Sequence, residues 1–250
     1  MDLGITDRLT LVTGASRGIG RAIAKQLACE GARVILVARS QETLNGVLSE
    51  MTEPRKHHAM GIDLVSDGGV PKLADAITKL GNLDIIVHNL GGSAGVFQAM
   101  APAADWQKVW QFNVGIAHEL NRLFIPPMVE RRWGRIVHLS TLSTTTYNGY
   151  APYVSSKCAV DGYVKTVSRE VSRHNVIISA VAPGAIYSEG RFFAKLQTEN
   201  PAALESYFKE HLPIKRLGTA EDVAAAVAFL CSDQASFMAG AIIGVDGGGM

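Results

Sequence analysis

Short apolar runs rich in β-branched residues alternate along the chain with longer stretches in which apolar residues recur at helical spacing. Ile19, Ile23 and Leu27 form one such stripe at intervals of four residues. Several of the short runs are apolar at consecutive positions, as expected for strands that are covered on both faces. The predicted strands are residues 9–13, 34–38, 83–89, 136–140, 176–182 and 241–245, with a weaker one at 59–62.

The alternation of strands and helices continues to the end of the chain. This order predicts an α/β protein with a doubly wound parallel sheet that is flanked by helices. Because no linker, repeat or low-complexity segment interrupts the pattern, we expect residues 1–250 to form a single domain.

One segment, residues 185–213, breaks the alternation after the sixth strand. It carries Phe192, Phe193, Tyr207 and Phe208 on a polar background. A long aromatic insertion at this position predicts a lid over an active site, with Arg191 able to meet an anionic group of the substrate. The alternative is that these aromatic side chains pack against a neighbouring subunit.

The composition excludes several classes of protein. Of the 250 residues, 47% are hydrophobic and 19% are charged, which allows a large core and excludes disorder. A net charge of +1 favours neither nucleic acid nor a membrane surface, and no apolar run approaches the roughly 18 residues of a membrane span. Three isolated cysteines and no evident signal peptide predict a reduced, cytoplasmic chain. The adjacent pair His57 and His58 lacks further ligand spacing, so no metal site is predicted.

A glycine-rich turn, Thr-Gly-Ala-Ser-Arg-Gly-Ile-Gly, follows the first predicted strand and opens the first helix. Glycines at this junction allow a pyrophosphate to approach the backbone, and the helix N-terminus offers free N–H groups to the phosphates. The pattern therefore predicts a dinucleotide site. The turn residues expected to contact the cofactor are Gly14, Ser16, Arg17, Gly18, Ile19 and Gly20.

A tyrosine and a lysine lie four residues apart, at Tyr153 and Lys157, in a predicted helix. At this spacing the two side chains share one face of the helix. An ammonium group beside a phenol stabilises the phenolate and lowers its pKa from about 10. The pair thus predicts a general acid or base that works near neutral pH.

These motifs, TGxxxGxG followed by YxxxK, resemble those of the short-chain dehydrogenase/reductase superfamily, which has a Rossmann-type fold. The resemblance extends from Thr13 to the Val-Asp-Gly-Gly sequence at residues 245–248. It implies that Tyr153 and Lys157 also contact a nicotinamide cofactor. Further cofactor contacts that it implies are Asp63 and Leu64 at the adenine, Asn89 and Gly91 after the fourth strand, and Pro183, Gly184, Ile186 and Ser188 after the sixth.

The tip of the second strand indicates which cofactor is used. Relatives that prefer NAD carry a carboxylate here for the ribose hydroxyls, whereas this chain has Arg39 and Ser40, with Arg17 in the glycine turn. Arginine forms charge-assisted, bidentate bonds to phosphate, so NADP(H) is favoured over NAD(H). The alternative is that Arg39 is merely a solvated residue at a helix start.

The resemblance also implies a hydroxyl that holds the substrate oxygen and an asparagine that interrupts a helix. The usual spacing of thirteen residues before the tyrosine selects Ser140, while the usual register at the end of the strand selects Thr141; we favour Ser140. Asn113 matches the asparagine, which would hold a water linked to Lys157.

Together these residues predict an NADP(H)-dependent reductase that converts a ketone to a secondary alcohol, with the 3-oxoacyl reductases as the nearest analogy. We expect a small carbonyl or alcohol substrate and a homo-oligomer, either a tetramer or a dimer. Three alternatives stay open. The chain could oxidise an alcohol, sugar or steroid, it could be a non-catalytic NADP-binding regulator, or it could be a structural subunit.

Overall fold

A computed structural model of the chain describes residues 1–190 and 192–250. In this part of the chain seven parallel strands form one sheet in the order β3-β2-β1-β4-β5-β6-β7. The strands are β1 (Leu9–Thr13), β2 (Arg33–Ala38), β3 (His58–Gly61), β4 (Ile85–His88), β5 (Gly134–Leu139), β6 (Val176–Pro183) and β7 (Ile242–Val245).

The chain winds outward from β1 in one direction and from β4 in the other. Where the winding reverses, the carboxyl ends of neighbouring strands open a crevice, which is the usual ligand position in such sheets. The predicted α/β class, parallel sheet and single domain are confirmed.

The helices are α1 (Gly18–Cys29), α2 (Gln41–Ser49), α3 (Gly69–Thr78), α4 (Ala103–Trp110), α5 (Ile116–Arg131), α6 (Ser143–Thr146), α7 (Ala151–Val171), α8 (Phe192–Glu199), α9 (Pro201–His211) and α10 (Ala220–Leu230).

Two apolar cores lie on opposite faces of the sheet. One contains residues of α1, α2 and α10, and the other contains residues of α3, α5 and α7. Neighbouring residues of β1 serve different cores, since Val12 packs into the first and Leu11 into the second, and both are fully buried. Each such side chain contributes roughly 1.5–3 kcal/mol. This explains why the strand is apolar at consecutive positions.

Two predicted segments differ in detail from the structure. The predicted strand 136–140 is shifted, because β5 runs from Gly134 to Leu139 and ends before Ser140. Residues 185–213 contain helices α8 and α9, and the Phe193 ring lies against Tyr207, with ring centroids 5.1 Å apart. Arg191, which was expected to meet an anionic group, lies outside the described residues. Within the described ranges, no helix has the length and apolar character needed to cross a membrane.

Candidate active site

The glycine turn follows β1 and depends on the absence of side chains. Gly14 and Gly18 have φ values of +67° and +54°, in the left-handed region that glycine adopts without strain. A Cβ on Gly20 would overlap the Gly14 carbonyl oxygen and the Asn89 amide nitrogen. The turn therefore brings the backbone to the crevice in a form that larger residues could not adopt.

Helix α1 begins at this turn with its N–H groups available. Arg17 occupies the N-cap position in an extended conformation, no side chain among the described residues caps the helix, and its first turn carries no acid. A Cβ on Gly18 would lie 3.8 Å from the Ser188 hydroxyl, so the segment after β6 approaches the start of the helix. An uncapped positive helix end at a glycine turn fits a pyrophosphate.

The residues expected at the adenosine end lie at the tips of β2 and β3. Arg17 and Arg39 are exposed, and neither has an ion-pair partner among residues 1–190 and 192–250. The Ser40 hydroxyl caps helix α2 by accepting from the Thr43 N–H at 3.2 Å, a role that the sequence analysis missed. Asp63 is exposed and accepts from the Val65 N–H at 3.0 Å.

Asn89 joins the end of β4 to the glycine turn. Its side-chain amide donates to the carbonyl oxygens of Thr13 and Gly14 at 3.0 and 3.1 Å. In return the backbone N–H groups of Asn89 and Leu90 donate to the Thr13 hydroxyl, each at 3.1 Å. The asparagine thus fixes the glycine turn to the end of β4.

Gly91 lies where the cofactor half meets the catalytic half. A Cβ at this glycine would lie 2.6 Å from Asn113 Oδ1 and 3.1 Å from Lys157 Nζ. Both polar atoms therefore approach the same point on the backbone. Gly91, which the sequence predicts as a cofactor contact, thus lies next to Asn113 and Lys157.

Asn113 lies in a π-helical turn, Gln111–Gly115, between α4 and α5. Its side chain donates to the carbonyls of Val109 and Gly92 at 2.9 and 2.8 Å, and its Oδ1 accepts from the Gly92 N–H at 2.9 Å. The residue interrupts a long helix as expected, and these three bonds hold it beside Gly91.

Lys157 is buried on α7 and donates from Nζ to the carbonyl oxygen of Leu139, the last residue of β5, at 2.5 Å. Burial lowers the pKa of Lys157 to about 8, and the nearby Asp161 carboxylate acts in the opposite direction. Desolvation thus favours the neutral amine of Lys157, whereas the negative charge of Asp161 favours the ammonium form.

Tyr153 lies one turn before Lys157 on the same helix. Burial raises the pKa of Tyr153, while hydrogen bonding with the Thr141 hydroxyl lowers it. The expectation that Lys157 would lower this pKa needs correction. In this structure burial has the largest effect and acts in the opposite direction, and the Lys157 ammonium donates to the Leu139 carbonyl.

The two candidate hydroxyls have different partners. Ser140 Oγ donates to Asp161 Oδ1 at 2.5 Å, whereas the Thr141 hydroxyl lies within reach of the Tyr153 phenol. Thr141 rather than Ser140 is therefore the hydroxyl that lies near the Tyr153 phenol. This arrangement agrees better with the register at the end of the strand than with the spacing of thirteen residues.

The segment after β6 is held against the edge of the sheet. Leu142 donates its N–H to the Pro183 carbonyl at 2.9 Å, and a Cβ on Gly184 would lie 2.7 Å from Asp246. Ile186 forms an isolated parallel bridge with Gly218. These contacts hold the backbone that leads to Ser188, opposite the glycine turn.

A buried polar network behind Lys157 was not predicted. His88 Nε2 and Asn121 Oδ1 are 2.8 Å apart, the rings of His88 and His138 lie 4.5 Å apart between centroids, and Asn121 donates to the Tyr163 hydroxyl at 3.1 Å. Burial lowers the pKa of His88 to about 4 and that of His138 well below its usual value. The sequence signal was His88 itself, a histidine at the end of an apolar strand.

The chain is similar to known proteins over almost its whole length. A family profile described as enoyl-(acyl carrier protein) reductase matches residues 14–249. The 3-oxoacyl-(acyl-carrier-protein) reductase of Aquifex aeolicus is 34% identical over 252 residues, which cover 99% of each chain. L-sorbose reductase from Gluconobacter frateurii, complexed with NADPH and L-sorbose, matches with a TM-score of 0.91 and 30% identity, covering 100% of this chain and 99% of that one. A 7α-hydroxysteroid dehydrogenase complexed with NADH and 7-oxo glycochenodeoxycholic acid gives 0.89 and 32%, covering 100% and 96%.

Proposed function

The chain belongs to the short-chain dehydrogenase/reductase superfamily, and we propose that it is an NADPH-dependent reductase of a ketone. The observation that carries this proposal is the meeting of three groups at one edge of the sheet. Helix α7 carries the Tyr153 phenol and the buried Lys157 ammonium, the Thr141 hydroxyl lies within reach of the phenol, and Gly91 lies close to the ammonium.

The residues of the crevice fit a dinucleotide. The side-chain-free turn and the uncapped start of α1 suit its pyrophosphate, and Ser188 lies across from them. The choice of NADPH rests on Arg17 and Arg39, two exposed guanidinium groups without carboxylate partners in the described part of the chain. Solved relatives bind either NADPH or NADH, so these two side chains decide the preference in this chain.

The remaining contacts follow the family pattern. The adenine end is assigned to Asp63 and Leu64, and the nicotinamide end to the segment after β6. The remaining residues proposed to hold the cofactor are Gly14, Ser16, Gly18, Ile19, Gly20, Ser40, Asn89, Gly91, Tyr153, Lys157, Pro183, Gly184, Ile186 and Ser188.

When bound, the reduced nicotinamide supplies a hydride to the carbonyl carbon. The chain supplies the proton and the positioning. The Thr141 hydroxyl donates to the carbonyl oxygen and stabilises the charge that develops there, while Tyr153 transfers its phenolic proton to that oxygen. The raised pKa of Tyr153 keeps the phenol protonated at neutral pH, as a proton donor must be. Lys157 and Asn113, which both lie near Gly91, would replace this proton through a water molecule.

For the substrate we propose a 3-oxoacyl compound or a related ketone, by analogy with the relative from Aquifex aeolicus. Residues 185–213 would act as the lid. Phe192 is 68% exposed, and its ring lies beside that of Phe193. Because exposed apolar surface is unfavourable in water, closure of the segment over a substrate would stabilise the closed form by burying this ring. We further propose a cytoplasmic dimer or tetramer, in keeping with exposed side chains such as Met100 and Phe237.

The decisive experiment is turnover of NADPH with a panel of ketones: 3-oxoacyl thioesters, keto sugars and oxosteroids. The matching alcohols and NADP⁺ test the oxidative direction. We expect reduction of at least one ketone class, and a loss of about 10²–10⁴-fold in kcat for Tyr153→Phe with NADPH affinity retained. Tight NADPH binding without turnover of any compound would instead indicate a non-catalytic binding protein, and absence of NADPH binding would refute the proposal.

A further inference from the structure

Asp161 connects the end of β5 to the helix that carries the proton-transfer residues. The side chain lies on α7 four residues after Lys157, and therefore on the same face of the helix. Its Oδ1 accepts a hydrogen bond of 2.5 Å from Ser140 Oγ, and Ser140 is only 5% exposed. A short bond to a carboxylate at a buried position is among the stronger hydrogen bonds of a protein.

This bond determines the direction of Ser140. Asp161 lies eight residues beyond Tyr153, which corresponds to about 12 Å along the helix axis. A hydroxyl held by Asp161 is thus kept away from the start of the helix, and the next residue, Thr141, is the one whose hydroxyl reaches the Tyr153 phenol.

The same stretch of backbone holds the lysine. The carbonyl oxygen of Leu139, directly before Ser140, accepts from Lys157 Nζ, and the Ser140 N–H donates to the Val181 carbonyl at 2.8 Å. Three consecutive residues therefore bind the lysine, Asp161 and the tyrosine in turn. Loss of the middle contact would loosen the two contacts on either side of it.

Asp161 also interacts electrostatically with Lys157. The ionisable groups near Lys157 and Asp161 are Tyr153 and Cys158 on the same helix, with His88 from β4 and His138 from β5. Burial keeps both imidazoles neutral at physiological pH, because it lowers the pKa of each. Among these described groups Asp161 is the carboxylate, and its charge raises the pKa of Lys157 against the effect of burial.

We propose that Asp161 is a positioning residue for the reductase reaction, which holds Thr141 in place through Ser140 and keeps Lys157 in its ammonium form. The inference rests on the proposed function. Asp161 has two roles here: a geometric one, through its hydrogen bond with Ser140, and an electrostatic one, through the effect of its negative charge on Lys157. Different substitutions remove these two roles.

Four variants separate the two roles. Asp161→Asn keeps an acceptor for Ser140 but removes the charge, Ser140→Ala removes the bond but keeps the charge, and Asp161→Leu removes both. Glu170→Gln is the matched control, because it removes one negative charge from an exposed position of the same helix. Thermal unfolding of each variant identifies any that fails to fold, and Asp161→Asn is the variant most expected to keep the fold.

The pH dependence of kcat/KM measures the electrostatic role. Reduction requires the ammonium form, so the rate falls as pH rises through the pKa of Lys157. We expect Asp161→Asn to move this alkaline limb to lower pH by about one unit. Ser140→Ala should leave the limb in place and lower kcat about tenfold with little change in KM. Asp161→Leu should show both effects.

A second readout does not depend on turnover. The ¹³Cε signal of Lys157, assigned with Lys157→Met, is titrated by NMR in the complete chain. The expected result is a lower midpoint in Asp161→Asn and an unchanged midpoint in Glu170→Gln. If the midpoint stays constant in Asp161→Asn, or if Ser140→Ala affects kcat no more than Glu170→Gln does, the inference is wrong. A chain that reduces no ketone would refute the proposed function, while the NMR titration would still decide the electrostatic role of Asp161.

Discussion

The glycine turn after β1 and the proposed catalytic centre between β5 and α7 lie at the same edge of the sheet but are built in opposite ways. The turn depends on missing side chains, with Gly14 and Gly18 at positive φ and two exposed arginines around it. The centre depends on buried polar side chains that are bonded across the fold, such as Lys157 to Leu139. A turn of this kind is a local property of the chain, whereas the centre exists only when distant segments meet.

From this comparison we expect that removal of a single hydroxyl in the proposed catalytic centre lowers kcat strongly. Thr141→Val removes the hydroxyl beside Tyr153, and we expect kcat to fall about 10²–10³-fold while NADPH still binds. Ser140→Ala should lose much less, because Ser140 is bonded to Asp161. Steady-state kinetics of both variants measure the contrast. A larger loss in Ser140→Ala would restore the preference that the sequence spacing indicated.

The buried network behind the centre should make the protein sensitive to acid. The folded-state pKa of His88 is about 4, below its ordinary value of 6.5. The unfolded chain therefore takes up the proton first, and stability that is present above pH 6.5 is lost as pH falls towards 4. Between pH 7 and about pH 4.5 the loss should be on the order of 2–3 kcal/mol.

Urea unfolding of the wild type and of His88→Gln at the two pH values measures this loss. The variant should lack most of the histidine-dependent part, and His118→Gln, at an exposed position of α5, serves as the control. Equal pH dependence in all three proteins would show that the His88 ring is not buried as a neutral group.

In the cofactor half, by contrast, we expect the effect of one residue to be smaller and to concern affinity. Arg39→Asp should weaken NADPH binding by about 1.5–3 kcal/mol and change the preference towards NADH, because a carboxylate accepts from ribose hydroxyls and repels a phosphate. Dissociation constants for both cofactors before and after the change provide the measurement. Arg55→Asp is a control on the exposed 3₁₀ turn Pro54–Lys56. An unchanged ratio of the two constants would remove Arg39 from the site.

The smallest expected effect concerns residues 185–213, which belong to neither type of region. Hydrogen exchange in α8 and α9 should slow when NADPH and a ketone are added, if the segment closes as a lid. Phe193 already stacks on Tyr207, so the change should be largest in the backbone around Tyr187 and Phe192, whose side chains are exposed. Protection that is complete without ligands and is lost on dilution would identify a subunit interface instead.

Much of the fold could be predicted from local pattern. All seven strands were expected, with ends that differ from the structure by up to two residues, because apolar runs between helical stretches suit a sheet that is covered on both faces. The structure of residues 185–213 was harder to predict from the sequence. Their mainly polar composition gave no clear helical pattern, and the two helices are joined by aromatic contacts between residues that are distant in sequence, such as Phe193 and Tyr207.

The sequence by itself determined the family, the parallel sheet, the glycine turn and the placement of Tyr153 and Lys157 one turn apart on the same helix. Each of these depends on spacings of a few residues or on the alternation of elements, which tertiary contacts do not change. Only the tertiary structure showed that Thr141 rather than Ser140 lies beside Tyr153, revealed the contact between Ser140 and Asp161, and set the direction of the Tyr153 pKa. Those outcomes depend on which side chains meet across β5 and α7 and on how far water is excluded there, and neither quantity is contained in the spacing of residues along the chain.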